Sequence, residues 1–507
     1  MLLYIGLLVQ SNLVPRRCVG THHERPLSFT TFILSFVLML QPSLSRPWFS
    51  FFLVAIGVFL ATMDSSMVNV ALPTIMRAFA TTLPQTEWVA LIYLLTITVT
   101  LLIWGRLADR LGKRKMYLLG MLVFGLGSAA CSLASTLFLL VVCRFVQAVG
   151  ASMMMSSGPA IIKMVFPVHQ LGRTLGLIGV ATSLGLMSGP VVSGFLIHFY
   201  SWRALFLVTV PISLICVAVG WFRLLPAPPL ASPSSRKQPP LDWPGLMIWA
   251  LLVTLTALLA THYGSWSGEM VLAGLFGFVG LFFLLIAAEQ RAAEPLFPLA
   301  LFRDRHYALA MICAALSFTV LFVVLILIPF YLDYVLRLPV DRIGLVMMAV
   351  PVAVFVVAPS SGWLYDRIGA RLLTTGGLTL CCLALILLCL LDARSGVMDV
   401  AWRLALLGAG QALFLSPNSA SVLAAAPPQQ IGITSGMLAT VRNLGMLAGV
   451  TLAGLVFGGV FSWLSGGLDL KDFTLEHGAA FITSLRVSFG LAALLALAGA
   501  ILSGRRG

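Results

Sequence analysis

Charge is what this chain has least of. Only 9% of its 507 residues are Asp, Glu, Lys or Arg, against 60% hydrophobic residues, whereas soluble domains carry about 25% charged residues. An ordinary soluble protein is therefore excluded. Acids are rarer still, 17 against 31 Lys plus Arg, for a formal charge of +14. In a soluble chain that imbalance would suggest nucleic-acid binding. In a chain of mean hydropathy +1.03 it marks basic loops on the cytoplasmic face of a membrane, and no nucleic-acid partner is expected. The eight cysteines sit mostly inside apolar runs without metal-ligand spacing and read as small packing residues. No Gly-x-x-x-x-Gly-Lys phosphate loop, metal cluster or soluble catalytic stretch occurs. ATP-driven transport, a metal centre, a cofactor and enzymatic activity are accordingly not expected.

What the chain does have is apolar runs long enough to cross a hydrocarbon core of about 30 Å, which takes roughly 20 helical residues. About fourteen such runs follow residue 48. The expected organisation is an N-terminal extension, cytoplasmic and poorly ordered, over 1–48, and a six-helix bundle over 49–225. A cytoplasmic linker over 226–243, two inserted helices over 244–288, a cytoplasmic loop over 289–306 and a second six-helix bundle over 307–507 complete it. The linker contains Pro226, Pro228, Pro229, Pro233, Pro239 and Pro240 and cannot remain helical. With both termini inside, the cytoplasmic segments hold roughly 21 Lys/Arg and the outer loops roughly 7, the asymmetry of a multi-pass membrane protein with cytoplasmic ends. Arg144, Arg442 and Arg486 fall inside spans.

The charged turn Gly105-Arg106-Leu107-Ala108-Asp109-Arg110-Leu111-Gly112-Lys113-Arg114 returns as Gly362-Trp363-Leu364-Tyr365-Asp366-Arg367-Ile368-Gly369-Ala370-Arg371. Gly150 and Pro159 pair with Gly408 and Pro417, and Gly185, Gly189 and Gly194 pair with Gly445, Gly449 and Gly454. Matches in the same order argue for a duplicated unit. The reading is an all-α polytopic membrane protein of two six-helix bundles with two extra helices between them. Halves of this kind commonly enclose a site at the membrane midplane and rock about it.

These residues resemble the major facilitator superfamily, and within it the fourteen-span drug:proton antiporters of the EmrB/QacA type. The Gly105–Arg114 loop is similar to that family's loop between spans two and three. Asp64-Ser65-Ser66-Met67-Val68-Asn69-Val70-Ala71-Leu72-Pro73 is similar to its first-span signature. Arg144, Gln147 and Gly150 fit its fourth-span motif, and Gly185, Gly189, Pro190 and Gly194 its fifth-span antiporter motif. Val450 stands where Pro190 stands in the first half, a departure from symmetry. The resemblance implies a proton-coupled exporter of small lipophilic or cationic compounds in the cell membrane, which is the inner membrane if the bacterium is Gram-negative. Its partners would be protons, substrate and lipid, with a periplasmic adaptor left open.

Asp64 is an acid within the first span, where a charge costs roughly +2.5 to +3.5 kcal/mol on translocon scales and asks for a cavity, a partner or a proton. A carboxyl whose exposure and cationic neighbour alternate can bind a proton on one side and release it on the other. Arg144 lies near the same depth by helix rise, so proton coupling is assigned to Asp64 with Arg144. A helix-cap role for Asp64 and a permanent backbone tie for Arg144 are the structural alternatives. Gly105, Asp109, Arg110, Gly112, Arg114, Asp366, Arg367, Gly185, Gly189, Pro190 and Gly194 are assigned to a conformational gate. Asn69, Tyr93, Gln147, Gln411 and Asn418 are the expected cavity groups. A specific exporter of one metabolite, or a ligand-binding sensor without flux, are the competing functions.

Overall fold

The computed structural model describes residues 46–224, 243–262, 268–291, 299–425 and 431–506; the linker, apart from Trp243, and most of the N-terminal extension lie outside the described residues. Membrane-length apolarity leaves the backbone no partners but its own, and helices satisfy it internally. The described residues form no strand. Their long helices are α1 Arg46–Phe79, α2 Leu83–Leu111, α3 Lys113–Ser132, α4 Leu137–Val165, α5 Val168–Phe199 and α6 Ala204–Arg223. Then come α7 Trp243–His262 and α8 Gly268–Arg291. The last six are α9 Arg305–Val335, α10 Val340–Tyr365, α11 Arg367–Leu388, α12 Val397–Ala424, α13 Ile431–Leu464 and α14 Gly478–Gly504. Twelve described helices are long and apolar enough to cross a membrane. The other two of the fourteen segments are α2, which is 29 residues long, and α7, whose apolar stretch Pro244–Leu259 is shorter.

The turns are written locally. Thr82 caps α2 in a reciprocal capping box with Gln85, which satisfies two otherwise orphaned backbone donors. Thr136 accepts from Leu139 N at 3.2 Å to start α4, and Asp304 from His306 N at 2.8 Å to start α9. At the repeated charged turns the chain reverses through Gly112, φ +99°, and Gly369, φ +78°. Both conformations are strained for any residue with a Cβ, so the same glycine in both copies does the same work.

Duplication is visible in the packing. Gly185 and Gly189 of α5 lie on α1 at Phe59 and Ser66, as Gly445 and Gly449 of α13 lie on α9 at Ala315 and Thr319. A Cβ on Gly120 would stand 2.9 Å from the Gly150 carbonyl oxygen, and one on Gly377 2.7 Å from that of Gly410. Gly410, rather than Gly408, is thus the packing counterpart of Gly150; Gly408 lies on Val350 of α10. The inserted α7 and α8 pack on each other, and α7 lies along α2 and α13, with Trp249 Nε1 donating to the Thr98 carbonyl at 3.3 Å.

A Cβ at Gly112 or Gly369 would meet nothing within 4 Å, so strain alone decides a substitution there. Gly369→Ala should cost about 1–3 kcal/mol and lower the thermal midpoint of the detergent-solubilised protein. Gly362→Ala, on a helical residue with equally open space, should not lower it and should raise it slightly, since alanine is the better helix former by about 0.5–1 kcal/mol.

Candidate functional site

Four helices of the first half converge on one buried ionic cluster. α1 supplies Asp64, 1% exposed, and α4 supplies Arg144 and Gln147, both fully buried. Arg144 Nη1 donates to Asp64 Oδ2 as a salt bridge and to Gln147 Oε1 at 2.7 Å, and Arg144 Nε donates to the Val89 carbonyl of α2 at 3.1 Å. Gln147 Nε2 donates to Asp64 Oδ1 at 2.8 Å and to Ser128 Oγ of α3 at 2.7 Å. Both carboxylate oxygens are therefore engaged. Arg144 Nη2 has no hydrogen-bond partner among the described residues, but the guanidinium lies 4.1 Å from the Tyr93 ring centroid, a cation–π contact strengthened by desolvation. Bringing two ions out of water costs several kcal/mol each, and the mutual attraction repays it only where the remaining polar groups are also satisfied. This cluster largely meets that condition.

Tyr93 joins the cluster to a cavity. Its ring covers Arg144, its hydroxyl donates to the Ala61 carbonyl at 2.9 Å, and it lines a pocket of about 60 Å³ between α1, α2, α4 and α5 on one side and α13 on the other. Ser65 and Thr182 face Arg442, Asn443 and Met446 across it. Arg442 Nη2 donates to Ser419 Oγ at 2.6 Å, while Arg442 Nε and Asn443 Nδ2 have no partner among the described residues. Unsatisfied buried donors in a cavity wall suit a ligand that carries acceptors.

The structure brings Asp64, Arg144, Gln147 and Tyr93 together and scatters the rest. Gln147 belongs to the ionic cluster rather than the cavity wall. Gln411 is tied to Ser317, accepting from its hydroxyl at 2.8 Å and donating to its carbonyl at 3.0 Å. Asn418 accepts from Arg506 Nη1 at 2.7 Å and donates to the Ala310 carbonyl at 3.3 Å. Asn69 is buried with neither amide atom partnered among the described residues, and it lines no described cavity. Of the five expected cavity groups only Tyr93 is in the wall. Ser128, Asn443 and Arg442 complete the centre; the first two were missed because Ser and Asn in an apolar helix carry no distinctive spacing.

The gate residues divide likewise. Gly185 and Gly189 pack on α1 within their own half, whereas a Cβ on Gly194 would stand 2.8 Å from Gly344 Cα, and one on Gly344 2.8 Å from the Pro190 carbonyl oxygen, so this end of α5 meets α10 of the other half. Gly105 faces Ser156 of α4, Arg114 donates to the Trp221 carbonyl of α6, and Arg367 lies 3.8 Å over the Trp363 ring. None of these three contacts crosses between halves. The side chains of Asp109, Arg110 and Asp366 lie outside the described residues. Two polar contacts do cross, at the end of the bundle away from the charged turns: the Arg77–Asp333 salt bridge at 2.8 Å and a contact of the His198 ring with the Asp341 carboxylate at 3.4 Å. Arg486 is tied to the Leu391 carbonyl at 3.4 Å.

Two pseudo-equivalent helical halves, with a buried ion cluster inside the first and a small cavity between the two, are the build of a membrane carrier. The family model of the Major Facilitator Superfamily matches residues 54–256 and again 244–450, and the chain belongs to that superfamily of transporters. It is 31% identical to the riboflavin transporter RibZ of Clostridioides difficile over 91% of this chain and 97% of that protein. It is 32% identical to the methylenomycin A resistance protein of Streptomyces coelicolor over 87% of this chain and 89% of that protein. A solved bacterial homolog of the human lysosomal transporter Spinster, inward-facing and unoccupied, superposes with TM-score 0.65 at 15% identity, covering 92% of this chain and 98% of that one.

Removing one partner of the buried pair leaves the other uncompensated. Arg144→Gln should destabilise the solubilised protein by about 3–5 kcal/mol, read as a lowered unfolding midpoint. Asp64→Asn with Arg144→Gln should lose less than the sum of the two single changes.

Proposed function

We propose that this transporter is a proton-coupled exporter of small lipophilic compounds of the fourteen-span drug:proton antiporter type, with Asp64 as the proton carrier and Arg144, Gln147 and Tyr93 as the groups that tie its charge to the cavity. The observation that carries this reading is the shared position of Tyr93, which covers the Arg144 guanidinium and also forms the cavity wall. Protonating Asp64 removes the charge that holds Arg144 and Gln147 against α1. The Tyr93 ring and the cavity it lines then rearrange together, so proton and compound compete for one arrangement of the site.

The basic loops set the charged turns in the cytoplasm. The closed end, with Arg77–Asp333 and the Gly194–Gly344 contact, then faces outward, while a Cβ on Gly179 of α5 or Gly436 of α13, toward the cytoplasmic end, meets nothing within 4 Å. The present arrangement is the one sealed from the outside. A cavity of about 60 Å³ is well below the roughly 300–1,000 Å³ of drug-sized sites, so binding widens it by moving α13 against α1 and α2.

Arg442 in the wall argues against cations as the preferred cargo. Bringing a second positive charge beside a buried guanidinium is repulsive in low dielectric, so neutral or anionic acceptor-bearing aromatics fit best. Relatives named for riboflavin transport and for antibiotic resistance are consistent with that class, and a single-metabolite exporter remains the second reading on the strength of the two free donors.

The test is proton movement in everted vesicles acidified inside, with riboflavin, chloramphenicol and ethidium added in turn. Release should be larger for the first two than for ethidium, and should fall at least about tenfold in Asp64→Asn, as removal of an essential proton-transfer group implies. Undiminished release in Asp64→Asn would place the carrier elsewhere.

A further inference from the structure

Glu87 is a buried acid that the reading above does not use. It stands in the first turns of α2, is 2% exposed, and has no hydrogen bond or ion pair among the described residues; its Oε1 is one of the unpartnered buried atoms. Its carboxyl lies against the bare backbone of Gly454 in α13, where an added Cβ would stand 2.5 Å from the carboxyl carbon. The contact therefore joins the two halves at their sealed end.

Its position in the duplicated fold gives it meaning. Gly194 of α5 packs on Gly344 of α10, and by the same repeat Gly454 of α13 packs on Glu87 of α2. One of two pseudo-equivalent contacts is glycine on glycine, and the other places a carboxyl where its counterpart has no side chain. An ionised carboxylate with no partner in such a place costs several kcal/mol, far more than a neutral acid.

The charged and titratable groups of the elements packed on α2 are engaged elsewhere. On α1, Asp64 pairs with Arg144 of α4, and Arg77 pairs with Asp333. α13 carries only Arg442, which donates to Ser419, and α4 otherwise offers Cys143, beside the cluster, and Lys163 in its last turn. On α3, Tyr117 donates to the Leu53 carbonyl and Cys131 to Gln147, while Lys113, Arg114 and Lys115 begin the helix at the far end. α7 ends in His262, whose side chain lies outside the described residues. On α2 itself Tyr93 serves the cluster, and Arg106, Asp109 and Arg110 stand in the last turns of the helix, at the charged turn and the end opposite Glu87.

We propose that Glu87 is a second proton-binding group, separate from Asp64, whose neutral carboxyl seats on Gly454 when the outer face is closed and whose ionisation on exposure holds that face open. This rests on the transporter reading for its purpose but not for its test. Closure takes up one proton, so the closed-to-open ratio falls about tenfold per pH unit over the range in which the two forms differ by that proton. The sign follows from the same statement: low external pH closes the outer face and high pH opens it.

The experiment is a distance measurement between spin labels at Leu133→Cys and Met398→Cys in the full-length protein in detergent between pH 5 and pH 9. Leu133, in the turn after α3, and Met398, in the first turn of α12, are 80% and 77% exposed at the sealed end of either half, and the unsubstituted protein serves as background. The intact acid should give a short distance at low pH and a longer population that grows about tenfold per unit. Glu87→Gln, and Glu87→Gly which copies the other contact, should keep the short distance throughout, while Glu87→Asp should keep the pH dependence. An unchanged profile in Glu87→Gln would assign the switch to His198–Asp341 or Arg77–Asp333 and overturn the proposal, as would a pH-independent distance in the intact protein. Repeating the profile with Asp64→Asn keeps the two claims apart: the Glu87 switch should persist there even though coupled flux does not.

Discussion

A charge inside a low-dielectric bundle must be paired, and the Asp64–Arg144 salt bridge is where this protein meets that constraint. Asp64 and Arg144 are 1% and 0% exposed, and the groups around them exist to complete the pair: Gln147 bridges both ions, Ser128 holds Gln147, and the Tyr93 ring covers the guanidinium that the carboxylate leaves. Each comes from a different helix or a different turn, so the pair fixes α1, α2, α3 and α4 with respect to one another. A change at Asp64 would therefore reach four helices at once.

The second half repeats the scaffold without the chemistry. α9 and α13 cross at the same glycines as α1 and α5, yet α9 has only apolar residues and hydroxyls through its middle, and its polar tie is Ser317 with Gln411. Asymmetry is concentrated in three places: the ion cluster of the first half, the Arg442–Asn443 face that α13 presents to it, and the Glu87–Gly454 contact where the opposite edge has Gly194–Gly344. α7 packs along the α2–α13 edge as well as on α8.

Much of the frame was legible in the sequence because it rests on periodic, local signals. Spanning runs mark helices, the repeated Gly-x-Leu-x-Asp-Arg-x-Gly turn marks the duplication, and its last glycine turned out to adopt positive φ in both copies. Asp64 and Arg144 were legible because charge in a span is rare. Gln411 and Asn418 misled because a polar residue in a span is satisfied equally well by a neighbouring helix as by a cavity, and only packing distinguishes Ser317 and Arg506 from a ligand. Gly408 was matched to Gly150 because the spacing to the following proline is the same, whereas contact with the preceding helix selects Gly410. Glu87 escaped notice since an acid in the first turns of a helix ordinarily answers the helix dipole; its significance appears only when the repeat shows glycine at the partner contact.

The central claim, that Asp64 exchanges a proton for the compound in the Tyr93 cavity, is tested most directly by counting protons on binding. The compound that discharges vesicles most strongly would be titrated into the purified protein in weakly buffered detergent solution, with calorimetry in buffers of different ionisation enthalpy. The account predicts release of about one proton per bound compound, the number one carrier carboxyl can supply, and its loss in Asp64→Asn although the compound still binds. Release that persists in Asp64→Asn, or binding to the intact protein with no proton released, would contradict it.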